Sequence, residues 1–257
     1  MVRTRAVPFA VGGDHSIALP AMRAVAKEHG PLAVIHVDAH LDTSDDAVWG
    51  DAYRHGTPLR HAIEEGLVER GQLHQVGVRA PWGYPEEGTL AANHGAVLHD
   101  AEAIAERGAV AVGAQIAQTI GAHPVYLTFD IDGVDPAFAP GTGTPVPSGL
   151  TSREAISLLR SLAGIRLVAM DLVEVCPALD HADVTAHLAA QLLYEGSCAT
   201  RASSSWAFTA KPNPRRRRYE RAGGAFVRSL RRARYRVMQA TDWGSMPSSE
   251  RWRSPWR

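Results

Sequence analysis

The sequence predicts an α/β domain over residues 1–198 of 257: a three-layer arrangement in which a parallel sheet carries helices on both faces. Three observations point there. Short apolar runs alternate with Ala-rich stretches of helical spacing, Gly and Pro punctuate the joints, and three of the runs lead directly into acidic residues. Strands of a parallel sheet are buried on both faces and read as unbroken apolar runs, and ligands of such sheets gather just beyond the carboxyl ends of the strands.

In chain order, the pattern predicts a helix over 17–29, a strand over 32–37, a polar loop over 41–57 and a helix starting near Pro58. A strand candidate follows over 73–78, then a turn or short helix at 85–94, a third strand candidate at Val97, and helices over 101–107 and 110–121. The stretch VYLTF at 125–129 is rich in β-branched and aromatic residues and predicts a strand. Residues 136–149 are dense in Pro and Gly and predict a loop. A helix over 152–161 is capped by Thr151 or Ser152, a strand covers 166–171, and a last helix covers 181–195. The strand ends then offer Asp38, Asp130, and Asp171 with Glu174, acids distant in sequence that a shared sheet edge brings together.

A formal net charge of zero conceals two unlike parts, since residues 1–198 carry 12 Lys/Arg against 24 Asp/Glu and residues 199–257 carry 15 against three. The second part lacks strand alternation. It predicts a basic tail, disordered over 199–219 and 241–257 with a basic helix over 220–240, or the product of frame-shifted translation. Arg215 to Arg218 leave nucleic-acid binding through the tail as a competing role. No charge-free apolar stretch of 18 residues and no signal-peptide pattern are present, which predicts no membrane span and no secretion; with only two cysteines, a cytoplasmic location is expected.

The chemistry concentrates in HVDAHLD at 36–42 and FDIDGVD at 129–135. Carboxylates and an imidazole gain nothing from an apolar core, so Asp38, His40 and Asp42 belong on the chain as it leaves a strand. Asp130 and Asp132 repeat the device, and four converging carboxylates repel one another unless divalent cations compensate. Oxygen-rich ligation with few imidazoles suits Mn²⁺, and the lack of a CxxC pair argues against a cysteine zinc site. Surface acids capping loops are the competing reading. Taken alone, His15 in GGDHS reads as structural, His55 as exposed, and Glu174 equally well as a solvated acid.

The order of GGDHS (12–16), HVDAHLD (36–42), HGTP (55–58), FDIDGVDP (129–136), GTGTP (141–145) and DLVEV (171–175) resembles the ureohydrolases, the arginase and agmatinase family, and its agmatinase-like branch in particular. The resemblance covers about residues 11–195. It implies an arginase/deacetylase-like sheet lacking its N-terminal portion, because only 11 residues precede Gly12. It further implies a binuclear manganese hydrolase that attacks a guanidinium carbon and releases urea and an amine. His15, Asp38, Asp42 and Asp130 correspond to the ligands of one Mn²⁺, and His40, Asp38, Asp130 and Asp132 to those of the other. In the same scheme Asp132 carries the proton, Glu174 pairs with the guanidinium, and His55 lines the pocket to relay a proton or orient substrate.

The stretch 41–58 lacks the Asn- and Ser-bearing pattern with which arginases hold an α-carboxylate, so agmatine is favoured. Guanidinobutyrate, guanidinopropionate or a more elaborate guanidino acid are the alternatives, with Trp49, Tyr53, Arg54, Trp82 and Tyr84 expected to shape the outer pocket. An inactive metal-binding relative is a further alternative. The family resemblance also implies a homo-oligomer, trimer or hexamer.

Overall fold

Among the described residues, six strands pair side by side in parallel: β1 (Phe9–Val11), β2 (Leu32–Val37), β3 (Val68–Val76), β4 (Val97–His99), β5 (Pro124–Asp130) and β6 (Arg166–Val173), in the spatial order β1-β6-β5-β2-β3-β4. The computed structural model describes residues 6–45, 50–82 and 86–202, the last three as backbone. Trp49, Tyr84 and the tail beyond 202, with its predicted basic helix, lie outside the described residues.

Every residue of β2 and β5 is buried, as expected for the centre of a doubly covered sheet. On one face Ile35, Val37, Leu127 and Phe129 pack against α4 (Ala101–Arg107), α5 (Ala109–Ile120), α6 (Ser152–Ser161) and α7 (Val184–Ala202). On the other, Leu32, Val34 and Tyr126 meet α1 (Ala18–His29) and α2 (Pro58–Glu64). A further helix, α3 (Glu86–His94), occupies the stretch expected to be a turn or short helix. Thr151 is the cap of α6: its hydroxyl accepts the Glu154 N–H while the Glu154 carboxylate accepts the Thr151 N–H.

The departures from expectation have local causes. β1 was not anticipated, because a three-residue, partly exposed edge strand carries no apolar run long enough to see. β3 starts five residues before Leu73 and stops at Val76, where Gly77 turns the chain away at φ 91°. β6 continues through Asp171 to Val173, so Asp171 lies inside the strand while Glu174 directly follows its end. α7 starts at Val184 rather than 181 and runs past both 195 and the expected boundary at 198.

From β2 the chain moves outward to β3 and β4, and from β5 it moves the opposite way to β6. The reversal lies between β2 and β5, so a crevice opens beyond their carboxyl ends, where open α/β sheets bind ligands.

Candidate metal centre

Asp38 and His40 directly follow β2, and Asp42 turns the loop with a left-handed φ of 54° that Asp tolerates better than most residues. Asp130 closes β5, and a one-turn 3-10 helix at Ile131–Gly133 swings Asp132 in beside it. His15 arrives from another single turn, His15–Ile17, just beyond β1. The three Asp/His stretches meet. His15 Nδ1 lies 2.8 Å from Asp42 Oδ2, 3.2 Å from Asp38 Oδ2 and 3.3 Å from Asp130 Oδ2. His40 Nδ1 lies 3.1 Å from Asp132 Oδ2 and 3.2 Å from Asp38 Oδ1. Asp38 therefore offers one oxygen to each histidine. Asp130 instead turns its Oδ1 to accept the Asp132 N–H at 2.8 Å.

Burial and mutual repulsion dominate the electrostatics. Asp130 is pushed well up by burial and by the charges of Asp132 and Asp38, and Asp132 is pushed up by burial and Asp38. Burial works against Asp38 too, but His36, His15 and His40 outweigh it and hold its carboxyl well below the usual range. Burial disfavours the charged form of His15, yet Asp42, Asp130 and Asp38 raise it well above its ordinary value. His40, also opposed by burial, is pushed up to about 11 by Asp132 and Asp38.

The donor set fits divalent cations. His15 Nδ1 is buried and makes no aligned hydrogen bond although three carboxylate oxygens crowd it, as expected of atoms converging on a common ion. Asp38, His40 and Asp132 form a second group with ligand-forming atoms within 4.8 Å of one another. Oxygen and imidazole donors without thiolate suit a hard or borderline cation such as Mn²⁺.

Residues outside the expected ligand set brace this cluster. Asp171, expected at a strand end, is buried within β6, where it accepts the Tyr126 hydroxyl at 2.5 Å and the Thr128 hydroxyl at 2.6 Å. Thr128 Oγ1 in turn lies 2.8 Å from His15 Nε2. With the Thr128 proton committed to Asp171, Nε2 of His15 is the donor, and the lone pair of Nδ1 faces the carboxylates. Such outer partners fix the tautomer of ligating histidines. His36 Nε2 sits 2.8 Å from Asp38 Oδ2, and Gln75 Nε2 is 3.4 Å from His36 Nδ1 while donating to the Leu41 carbonyl at 2.8 Å. That network makes His36 a donor that orients Asp38, although its position also lies within the His15, Asp38, Asp42 group. The only sequence signal was a polar residue inside a buried apolar run, which must find a partner.

A cavity of about 250 Å³ opens onto the cluster, with Glu174, His55, Thr144, Arg54 and Trp82 in its walls. Glu174 has φ 63°, a conformation costing a non-glycine residue about 1 kcal/mol, and its Oε1 accepts the His15 N–H at 2.6 Å. Burial raises the Glu174 pKa against the opposing pull of His15 and His55. His55 is exposed at the mouth. Tyr53, expected in the outer pocket, instead packs its ring on His61 and beneath the Arg23 guanidinium.

A doubly wound parallel sheet with a His/Asp cluster able to chelate metal at its carboxyl edge defines a class of metal-binding α/β proteins. The chain belongs to the Arginase family, whose sequence model matches residues 1–198. It is 44% identical to proclavaminate amidinohydrolase of Streptomyces clavuligerus over 78% of this chain and 65% of that protein. It is 43% identical to the mitochondrial agmatinase of Gallus gallus, over 77% of this chain and 58% of that one. It is 42% identical to guanidinobutyrase of Pseudomonas aeruginosa, over 75% and 60%. The solved proclavaminate amidinohydrolase superposes with a TM-score of 0.72, covering 76% of this chain and 64% of that one at 43% identity. The chain thus spans 58–65% of the length of these three curated relatives.

Nearly equal identities to differently named enzymes place the chain in the ureohydrolase superfamily without singling out its agmatinase branch. The cytoplasmic expectation is corrected by the same relatives: the Gallus gallus agmatinase is mitochondrial by name, as is the guanidino acid hydrolase of Homo sapiens, 40% identical over 77% of this chain and 56% of that one. Family membership and two cysteines therefore carry no cytoplasmic assignment. Among the described residues, no helix is long and apolar enough to cross a membrane.

Proposed function

We propose that residues 1–198 carry the centre of a manganese-dependent amidinohydrolase, which splits a guanidino compound into urea and an amine. The observation that carries this reading is the convergence of Asp42, Asp130, Asp132, His15 and His40, with Asp38 buried beneath them, on one cavity that Glu174 also lines. His15, Asp38, Asp42 and Asp130 would hold one Mn²⁺, and His40, Asp38, Asp130 and Asp132 the other. When bound, the pair supplies Lewis acidity that makes water nucleophilic near neutral pH.

The protein's own groups do the rest. Glu174, seated beside the cluster through the His15 N–H, pairs with the planar guanidinium and sets its carbon in reach of water. As the water oxygen bonds to that carbon, Asp132 takes the proton, a role suited by its carboxylate lying beside His40 in the same cavity. When the bond from carbon to the alkyl-bearing nitrogen breaks, the proton passes to the departing amine, with His55 at the mouth placed to assist. Agmatine is the preferred substrate, since residues 41–58 lack the arginase carboxylate pattern; guanidinobutyrate and guanidinopropionate are the alternatives.

Urea release by the Mn²⁺-loaded, folded protein from agmatine, guanidinobutyrate, guanidinopropionate and arginine tests the reading. Turnover of one of the first three with arginine poorest is expected. Two bound Mn²⁺ with no urea from any of the four would mark an inactive metal-binding relative instead.

A further inference from the structure

Arg79 stands outside every motif above, yet its guanidinium reaches the backbone of the proposed proton carrier. It follows β3 by three residues and is held by its own N–H, which donates to the Ala39 carbonyl at 2.9 Å. Nη2 donates to the Asp132 carbonyl at 2.8 Å and to that of Val146. Nη1 donates to the carbonyls of Gly133 and Gly77, each at 3.2 Å, and Nε to those of Val146 at 3.2 Å and Pro147 at 3.0 Å. The half-buried cation thus meets main-chain oxygens from three stretches of chain and, among the described residues, no carboxylate within bonding distance.

The surroundings are shaped to admit it. A Cβ on Gly149 would lie 2.5 Å from Arg79 Nη2 and 2.7 Å from its Cζ, so only glycine leaves room for the guanidinium plane. The loop it clamps closes on itself, with the Asp135 N–H donating to the Leu150 carbonyl at 2.8 Å and the Leu150 N–H to the Gly133 carbonyl at 3.1 Å. From that loop the Thr144 hydroxyl donates to Asp132 Oδ2 at 2.9 Å, while the Ala39 N–H donates to Asp132 Oδ1 at 3.1 Å. Asp132 is therefore fixed at its backbone by Arg79 and at both oxygens by groups that Arg79 also anchors, one through the loop and one through the Ala39 peptide. Burial disfavours the guanidinium charge; Asp132, Asp135 and Asp38 favour it.

We infer that Arg79 is a positioning residue for the reaction proposed above: it fixes Asp132 and the Thr144 loop so that the His40 side of the centre is preorganised for its cation. The five donors of a guanidinium in a rigid fork can serve several carbonyls at once, whereas an ammonium is a point with three. Outer-shell partners of this kind typically carry about 10- to 100-fold in metal affinity or activity.

The test uses the full chain with Mn²⁺ as probe, comparing wild type with Arg79→Met and Arg79→Lys. Expected is unequal loss: one Mn²⁺ retained near wild-type affinity, the second weakened about 10- to 100-fold, and kcat reduced with KM little changed. Lys should recover part of the second-site affinity. Two Mn²⁺ at wild-type affinity in Arg79→Met would overturn the inference. So would parallel loss of both sites together with the thermal stability of the metal-free protein, the mark of a merely structural role. Should Arg79→Met fail to fold, Arg79→Lys decides by the same metal titration. If the wild type binds two Mn²⁺ and releases no urea, the proposed activity fails while the affinity arm still judges Arg79.

Discussion

Two groups of histidines lie in neighbouring parts of one sheet and are driven in opposite directions. At the carboxyl ends of β2 and β5, His15 and His40 are raised despite burial because Asp42, Asp130, Asp38 and Asp132 surround them. On the adjoining edge, His74 of β3 and His99 of β4 stack with ring centres 5.8 Å apart and face no carboxylate within bonding distance. Burial, with the charge of His99, pushes His74 down to about 4. Burial and Arg107 lower His99 as well, against a weaker pull from Asp100. Burial alone thus does not decide what a histidine does; the charges enclosed with it do. Where acids outnumber imidazoles, the assembly calls for cations. Where imidazoles pair with each other and no acid outweighs burial, it disfavours protons.

The largest break in that contrast comes from Asp130→Asn, which removes a charge beside His15 and Asp132. Mn²⁺ content and urea release should fall together by more than about 100-fold, beyond the range of an outer-shell change, read by metal analysis and initial rates on the same sample. Retained activity with lost metal would separate the two. Glu174→Gln sharpens the contrast by sparing the cation side. Losing a charged hydrogen bond worth roughly 1.5–3 kcal/mol should raise KM about 10- to 100-fold with Mn²⁺ content unchanged, and unaltered kinetics would withdraw its guanidinium role. Asp171→Asn should weaken Mn²⁺ binding about 10-fold by releasing the Thr128 hydroxyl that fixes His15. A Mn²⁺ titration indistinguishable from wild type would show that the tautomer needs no such lock.

The smallest effect belongs to the edge pair. The unfolded chain binds a proton at His74 more tightly than the fold does, so the stability carried by its neutral form is complete above about 6.5 and is lost as pH falls towards 4. His74→Phe should flatten this acid limb by on the order of 1 kcal/mol, seen by comparing denaturant midpoints of both proteins at pH 5 and pH 7. Identical slopes would place the proton elsewhere.

The central strands and the pairs Asp38/His40 and Asp130/Asp132 were legible because short spacings at the end of an apolar run leave few places for charged groups to go. Thr128 was not legible, and Asp171 was legible only as an acid near a strand end, not as the partner of Thr128. They sit inside strands, and the contacts that give them meaning join His15 to Thr128 across 113 residues and Thr128 to Asp171 across 43. His36 had the same fault in reverse: adjacent to a motif, it was passed over because nothing in VIHV shows that Gln75 awaits it on the next strand. Arg79 carried no signal, since its partners are backbone oxygens that any sequence supplies. Edge strand β1 escaped for want of length.

The strand order also sets a timetable. His15 and Glu174, joined by a hydrogen bond, are 159 residues apart. At an elongation rate of about 5–20 residues per second, His15 is polymerised roughly 8–30 s before its partner. For much of that interval the Asp38 to Asp42 stretch exists without a complete β5 and β6 around it, so the proposed cation centre is completed late in the life of the nascent chain, with the last stretch of sheet to be made.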